Sequence, residues 1–190
     1  MSTNLGVYTQ ALDGFDHVVR VMPDDVWDLP SPCAGWSGRD VVGHVVAVQR
    51  WIEALARETE PFLDPYGDPG SIAGDDPVAE WAPARADVLD ALNRPGVLAR
   101  VVVTFRGHES IDAQIGWNVV DTLAHTWDLA RTGGVDDRLA PELVEHALTE
   151  AEPVIEQLRE PPFYAASVPT STDATRQEQL LGLLGRQWCQ

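Results

Sequence analysis

Apolar residues recur at intervals of three and four along most of this chain. From Asn4 to Met22 the apolar set is Leu5, Tyr8, Leu12, Phe15, Val18, Val19 and Met22, with Pro23 after it. That spacing predicts a helix that stops at the proline. Ser37 predicts an N-cap, and Asp40 three residues on gives a box-like start. The helix that follows runs to about Thr59, with Val41, His44, Val45, Val48, Trp51, Ile52 and Leu55 on its inward stripe. Residues 60–77 are rich in Pro, Gly and Asp and read as a long linker. Val78 to Asn93 predicts a third helix with Pro83 early in it. R-V-V-V-T-F reads as a short extended segment, too brief to imply a sheet. Gly116 to Gly134 reads as a buried helix: Trp117, Val120, Leu123, Ala124, Trp127 and Ala130 lie near helical spacing, and Gly133-Gly134 is a stop signal. Pro141 to Leu158 predicts another helix, with the proline in its first turn. Residues 163–172 read as extended and polar, and Thr172 or Asp173 as the cap of a last short helix. There is no internal repeat. The class is all-α, with four main helices and shorter additional ones.

At 190 residues the chain is long enough to bury a full core and reads as one domain, 1–190. No apolar run approaches the roughly 20 residues of a membrane helix. M-S-T-N-L-G-V-Y lacks the basic-then-apolar order of a secretion signal, which argues for the cytoplasm. The formal net charge is −17, and no local basic patch interrupts it. Such a surface repels phosphate backbones, so neither nucleic acid nor a membrane is an expected partner. The two cysteines, Cys33 and Cys189, have no C-x-x-C partner and read as free thiols. Cys33, in a loop of small residues, reads as packing rather than as a nucleophile.

Candidate chemistry centres on histidine. An acid stands four residues before a histidine at Asp13/His17, Asp40/His44, Asp121/His125 and Glu142/His146, so spacing alone does not discriminate. Context does. Glu142/His146 lies on an acid-laced face and reads as a solvated pair. Asp13/His17 reads as structural, His108 as a loop residue and Asp40 as a capping residue. His44 and His125 remain, in the most apolar surroundings, with Asp121 one turn from His125 on the same helix face. Two readings are open for them: buried, hydrogen-bonded histidines, or a divalent-metal site of His44, Asp121 and His125 with open positions for water or substrate. Burying an unpaired Asp costs several kcal/mol, and a cation would satisfy all three groups at once. Asp128, a further turn along, reads as a packing partner or a support for a ligand. The tryptophans are mainly core, and Trp36 and Trp51 are candidates to line a substrate pocket near His44.

The same residues carry a family resemblance. S-P-C-A-G-W-S-G-R-D-V-V-G-H-V-V resembles the P-C-x-x-W-(S/T)-x-x-(D/E)-L-x-x-H segment of DinB-like proteins, in the actinobacterial branch that includes the metal-binding domain of mycothiol-dependent maleylpyruvate isomerase. D-T-L-A-H-T-W-D-L-A-R-T-G-G resembles that branch's (E/D)-x-x-x-H-x-W-D-L-A-x-A-x-G, and the C-terminal F-Y-A-A-S-V-P-T-S-T-D-A-T-R-Q-E-Q-L-L-G-L-L-G-R resembles its usual close. The resemblance implies a DinB-like four-helix bundle, often a homodimer, with a divalent metal (zinc first, nickel or another ion as alternatives) on His44, Asp121 and His125. Asp121 stands where the isomerase has Glu. The isomerase also has a further C-terminal domain, so its isomerase activity is not expected to carry over. The implied activity is that of a mycothiol-type, thiol-dependent transferase or isomerase-like enzyme, with a small thiol and a small electrophile as partners. The alternatives are a non-catalytic metal- or ligand-binding module and a metal-dependent hydrolase. No general acid or base stands out beyond the ligands, and an anionic surface does not recruit an anionic substrate.

Overall fold

Helices form where the apolar period places them, and local capping chemistry sets their ends. In a computed structural model, residues 3–60, 63–159 and 164–187 are described. Trp188, Cys189 and Phe163, at the start of the extended segment, lie outside them. Helix α1 (Asn4–Val21) opens with the Thr3 hydroxyl accepting from the Gly6 N–H at 3.2 Å and ends just before Pro23. Helix α2 (Gly38–Arg57) opens on the expected capping box, in which Ser37 Oγ accepts from the Asp40 N–H and Asp40 Oδ2 accepts from the Ser37 N–H at 2.8 Å. Helix α4 (Pro77–Leu92) carries Pro83 internally, and helix α5 (Ile111–Gly133) closes on Gly134 at φ 62°.

Several boundaries differ from the sequence reading. The linker contains a short helix, α3 (Pro69–Ala73). The extended segment is one strand, β1 (Val101–Thr104), of an antiparallel hairpin with β2 (Gly107–Ser110), and His108 pairs with Val103 in it. Helix α5 begins at Ile111, capped by Ser110, rather than at Gly116. Gly116 is inside the helix because Asn4 packs on it; a Cβ there would meet Asn4 Nδ2 at 3.0 Å. Helix α6 (Pro141–Ala151) ends before Leu158, and Ile155–Leu158 is a separate 3-10 turn. Pro153 between them lacks an N–H and disfavours helix at the residue before it. Helix α7 (Arg176–Leu183) is capped by Thr175 and Glu178, not by Thr172 or Asp173.

The four long helices pack as a ring in the order α1, α5, α2, α4, with α6 on the outside of α5 and α7 on α6. Their inward stripes form one core in which Tyr8, Phe15, Ile52, Trp81, Ile115 and Trp127 are fully buried. Each such side chain contributes about 1.5–3 kcal/mol by leaving water. Phe15 and Trp81 meet edge to face at 4.8 Å, tying α1 to α4. The fold is therefore all-α with one small hairpin, and among the described residues no helix is long and apolar enough to cross a membrane.

One glycine positions the functional region. Helix α3 lies so close on α2 that a Cβ at Gly43 would fall 1.7 Å from the Pro69 carbonyl oxygen. This approach lets the chain before α3 cover His44. A Gly-to-Ala change in a helix normally gains about 1 kcal/mol. Here the sign reverses. Gly43→Ala is expected to lower stability by about 1–3 kcal/mol through overpacking, read as a fall in Tm. Gly14→Ala, with nothing within 4 Å of the new methyl, is the control that leaves Tm unchanged or raises it.

Candidate functional site

Helix α2 supplies His44, and α5 supplies Asp121 and His125. The two histidines are 1% and 5% exposed. Each presents Nε2 to the same oxygen, Asp121 Oδ1, at 3.5 Å. The opposite ring nitrogens are anchored. His44 Nδ1 is 2.9 Å from the Pro65 carbonyl oxygen. A carbonyl only accepts, so Nδ1 carries a hydrogen, and Nε2 is the nitrogen turned toward Asp121. His125 Nδ1 donates to Asp128 Oδ2 at 3.1 Å. The donor atoms of His44, Asp121 and His125 all lie within 4.8 Å of one another.

The arrangement is poorly satisfied by itself. A separation of 3.5 Å is long for a hydrogen bond. It is close to the roughly 3.4 Å between ligand atoms placed about 2.1 Å from a tetrahedral ion. Asp121 Oδ2 is shut from water and has no hydrogen-bond partner. The donor set, two imidazoles and a carboxylate, suits a divalent ion of intermediate softness. On these observations the residues present fit a metal.

A second buried acid holds the first group in place. Arg186, from the segment after α7, grips Asp128 with Nε 3.1 Å from Oδ1 and Nη2 2.8 Å from Oδ2. Asp128 is fully buried and Arg186 is 8% exposed. Burial raises the Asp128 pKa, but Arg186 and His125 outweigh it and keep the carboxyl below its usual range. For His125, burial favours the neutral ring, yet the charges and hydrogen bonds of Asp121 and Asp128 prevail and lift its pKa to about 9. Burial pushes the Cys33 thiol up to about 12, against a smaller lowering by Arg186. That thiol is protonated at neutral pH, in keeping with a packing role, although it stands close to His125 and Asp128.

The triad lies in the wall of a cavity of about 460 Å³. Trp36 and Trp51, the expected lining residues, are both in its wall. The Trp36 ring stacks on His125 at 5.6 Å and lies 4.8 Å from His44. Tyr66, Phe105, Trp117 and Tyr164 add aromatic surface, and Gln114 and Asn118 add amides. Sequence reasoning passed over these residues and Arg186. Tyr66 and Tyr164 sit in segments without helical period, and nothing local marks an arginine near the C-terminus as a partner of Asp128. Gln114 and Asn118 did carry a signal: they extend the stripe of Asp121 and His125 up α5 at spacings of four and three.

The remaining acid–histidine pairs are accounted for separately. Asp40 caps α2 as expected. Asp13 pairs with Arg85, and His17 is exposed. Glu142 and His146 are not a solvated pair: His146 Nε2 is half-buried and donates to the Gly116 carbonyl at 3.0 Å, fastening α6 to α5.

The chain matches the family described as the mycothiol maleylpyruvate isomerase N-terminal domain over residues 8–130. Two uncharacterized proteins of Mycobacterium tuberculosis, MT0763 of strain CDC 1551 and Rv0738 of strain H37Rv, are each 29% identical to it over 185 residues, covering 96% of this chain and 97% of theirs. No solved structure matches.

The raised pKa of His125 sets a pH dependence for the metal-free protein. A group whose folded pKa lies above its unfolded value stabilises fully below the unfolded pKa, and that contribution is lost as pH rises through the folded one. In chelator-treated protein the stability supplied by His125 is therefore complete below about 6.5 and gone above about 9. The Tm difference between wild type and His125→Gln should shrink across that window. A difference that is constant from pH 6 to 9.5, or grows, contradicts the assigned electrostatics.

Proposed function

The chain belongs to the mycothiol maleylpyruvate isomerase N-terminal domain family, a metal-binding, mycothiol-related family, and from that premise we propose a single-domain, divalent-metal-binding enzyme that activates a small thiol for transfer to a small electrophile. His44, Asp121 and His125 hold the ion, with zinc the first choice for this donor set. The observation that carries the reading is Asp121: a half-buried carboxylate with one oxygen shared between two imidazoles and the other shut from water without a partner. When bound, the ion stabilises thiolate over thiol and so supplies a nucleophile at neutral pH.

The chain's own residues do the rest. The Pro65 carbonyl and Asp128 fix both rings with Nε2 turned toward Asp121, and Arg186 fixes Asp128, the kind of support that orients metal ligands and raises their basicity. Three protein donors would leave an ion held there free to take a further ligand from the cavity. The aromatic wall, including Trp36 and Trp51, offers flat apolar surface to the electrophile. Cys33 does not compete as nucleophile, because its thiol stays protonated. The thiol is mycothiol by family, and the family also suggests a homodimer.

One observation favours a second reading, a ligand-binding module without turnover. Cys33 is held up at about 12, and burial keeps the Tyr66 and Tyr164 hydroxyls well above their ordinary range. These cavity groups offer no proton donor or acceptor that titrates near neutrality. Turnover of electrophiles with added thiol separates the two.

Protein purified without added metal or an affinity tag should carry about one divalent ion per chain, and His125→Ala should carry almost none while keeping its helical circular dichroism. Loading the chelated protein at pH 7.5 should release about one proton, since His125 must give up its hydrogen to bind. Metal-free wild type that neither takes up zinc in calorimetry nor changes Tm on its addition would falsify the metal reading.

A further inference from the structure

The cavity has a second polar end. Gln114 and Asn118 line it and are 2% and 3% exposed. Gln114 Oε1 is shut from water and has no hydrogen-bond partner. No side-chain hydrogen bond of Asn118 is formed among the described residues. Buried amides are normally bonded, and an unpaired one costs stability that a ligand can recover. The two lie on the α5 face that carries Asp121 and His125. Asn118 stands roughly 4.5 Å and Gln114 roughly 10 Å from Asp121 along the helix axis.

We propose that Gln114 and Asn118 form a neutral subsite that hydrogen-bonds a carboxamide of the ligand, a short spacer away from the group that reaches His44, Asp121 and His125. A carboxamide fits for three reasons. Each side-chain amide offers a donor and an acceptor, and another amide is complementary to both. The arginine in the cavity wall is no counter-ion for a carboxylate or phosphate here: Arg186 is committed to Asp128 and to the Leu184 carbonyl. The neighbouring rings of Trp117 and Phe105 give a planar, uncharged group apolar surface to lie against. The subsite rests on the thiol reading only for what occupies its far end.

Three small probes separate the parts. N-acetylcysteamine carries a thiol and an amide two methylenes apart, N-ethylacetamide the amide alone, and ethanethiol the thiol alone. The variants are Gln114→Met and Asn118→Leu, close in volume and without the amide. Ligand-free, both variants should match or exceed the wild-type Tm, because removing an unsatisfied buried polar group relieves its cost. N-ethylacetamide should shift the tryptophan indole NMR signals of wild type and not those of the double variant. On the cobalt(II)-loaded protein, followed by its visible spectrum, N-acetylcysteamine should bind wild type at least about fivefold more tightly than ethanethiol. That preference should vanish in the double variant, with ethanethiol binding unchanged. A fall of several degrees in Tm for both single variants assigns the amides to the fold and overturns the subsite. So does a cobalt spectrum that responds to both thiols with N-acetylcysteamine binding no more tightly than ethanethiol. If neither thiol changes the cobalt spectrum while N-ethylacetamide still separates wild type from variant, the thiol reading falls and the subsite stands.

Discussion

Helix α5 has almost no solvent face, and the rest of the structure follows from that. From Ile111 to Ala130 nearly every residue is buried, between α1 and α2 on the bundle side and α6 outside. A helix in that position ordinarily is apolar all round. This one carries Gln114, Asn118, Asp121, His125 and Asp128. Apart from the half-buried Asp121, none of these can turn to water, so each must find a partner inside the protein or leave a cost. The cavity exists along the face where the first four align. The close approach of α3 at Gly43 lays the Pro65–Tyr66 segment over the same face.

The two acids on α5 are treated differently, and the contrast is informative. Asp128 receives a bidentate arginine and a histidine, and both its oxygens are paired. That is the arrangement a buried carboxylate needs to be tolerated. Asp121 receives two imidazole nitrogens at 3.5 Å on one oxygen and nothing on the other. The fold supplies a full counter-ion to one acid and leaves the next one, two turns away, with an oxygen unpaired. The surrounding charge does not favour anions, since the chain's net charge is −17. A divalent ion is the species such a field would draw in.

How much of this was written in the sequence follows physical lines. The helices with one wet face, α1 and α2, were readable from period and caps alone, because burial and exposure alternate along them. So were His44, Asp121 and His125 as a group, because charged and polar residues among Val, Leu and Trp are conspicuous. The start of α5 was not readable: a glycine inside a buried helix looks like a boundary until Asn4 is seen packing on it. The end of α6 and the hairpin depend on Pro153 and on strand pairing, and a four-residue strand shows no period to speak of. Arg186 and Tyr164 lie in the C-terminal segment that resembles the family's close, but nothing there marked them as site residues. They join the site through contacts far along the chain, and local pattern carries no information about such contacts.

That last group bears on where selectivity resides. The stretch matched by the family, residues 8–130, contains the triad, Trp36, Trp51 and the α5 amides. The segment beyond it contributes Tyr164 to the cavity wall and Arg186 to the anchoring of Asp128. Changes in the C-terminal segment can therefore alter the shape of the cavity through Tyr164 without touching the donor atoms. A change at Arg186 acts on a donor atom indirectly, by freeing Asp128 and with it the ring of His125. The Asp128 charge left behind would be fully buried with only the His125 ring beside it, and breaking such a pair costs more than the pair itself contributes. The constraint thus runs from the end of the chain to the middle of α5. The chemistry at His125 is set by a residue 61 positions later in the sequence, held beside Asp128 by the packing of α6 and α7.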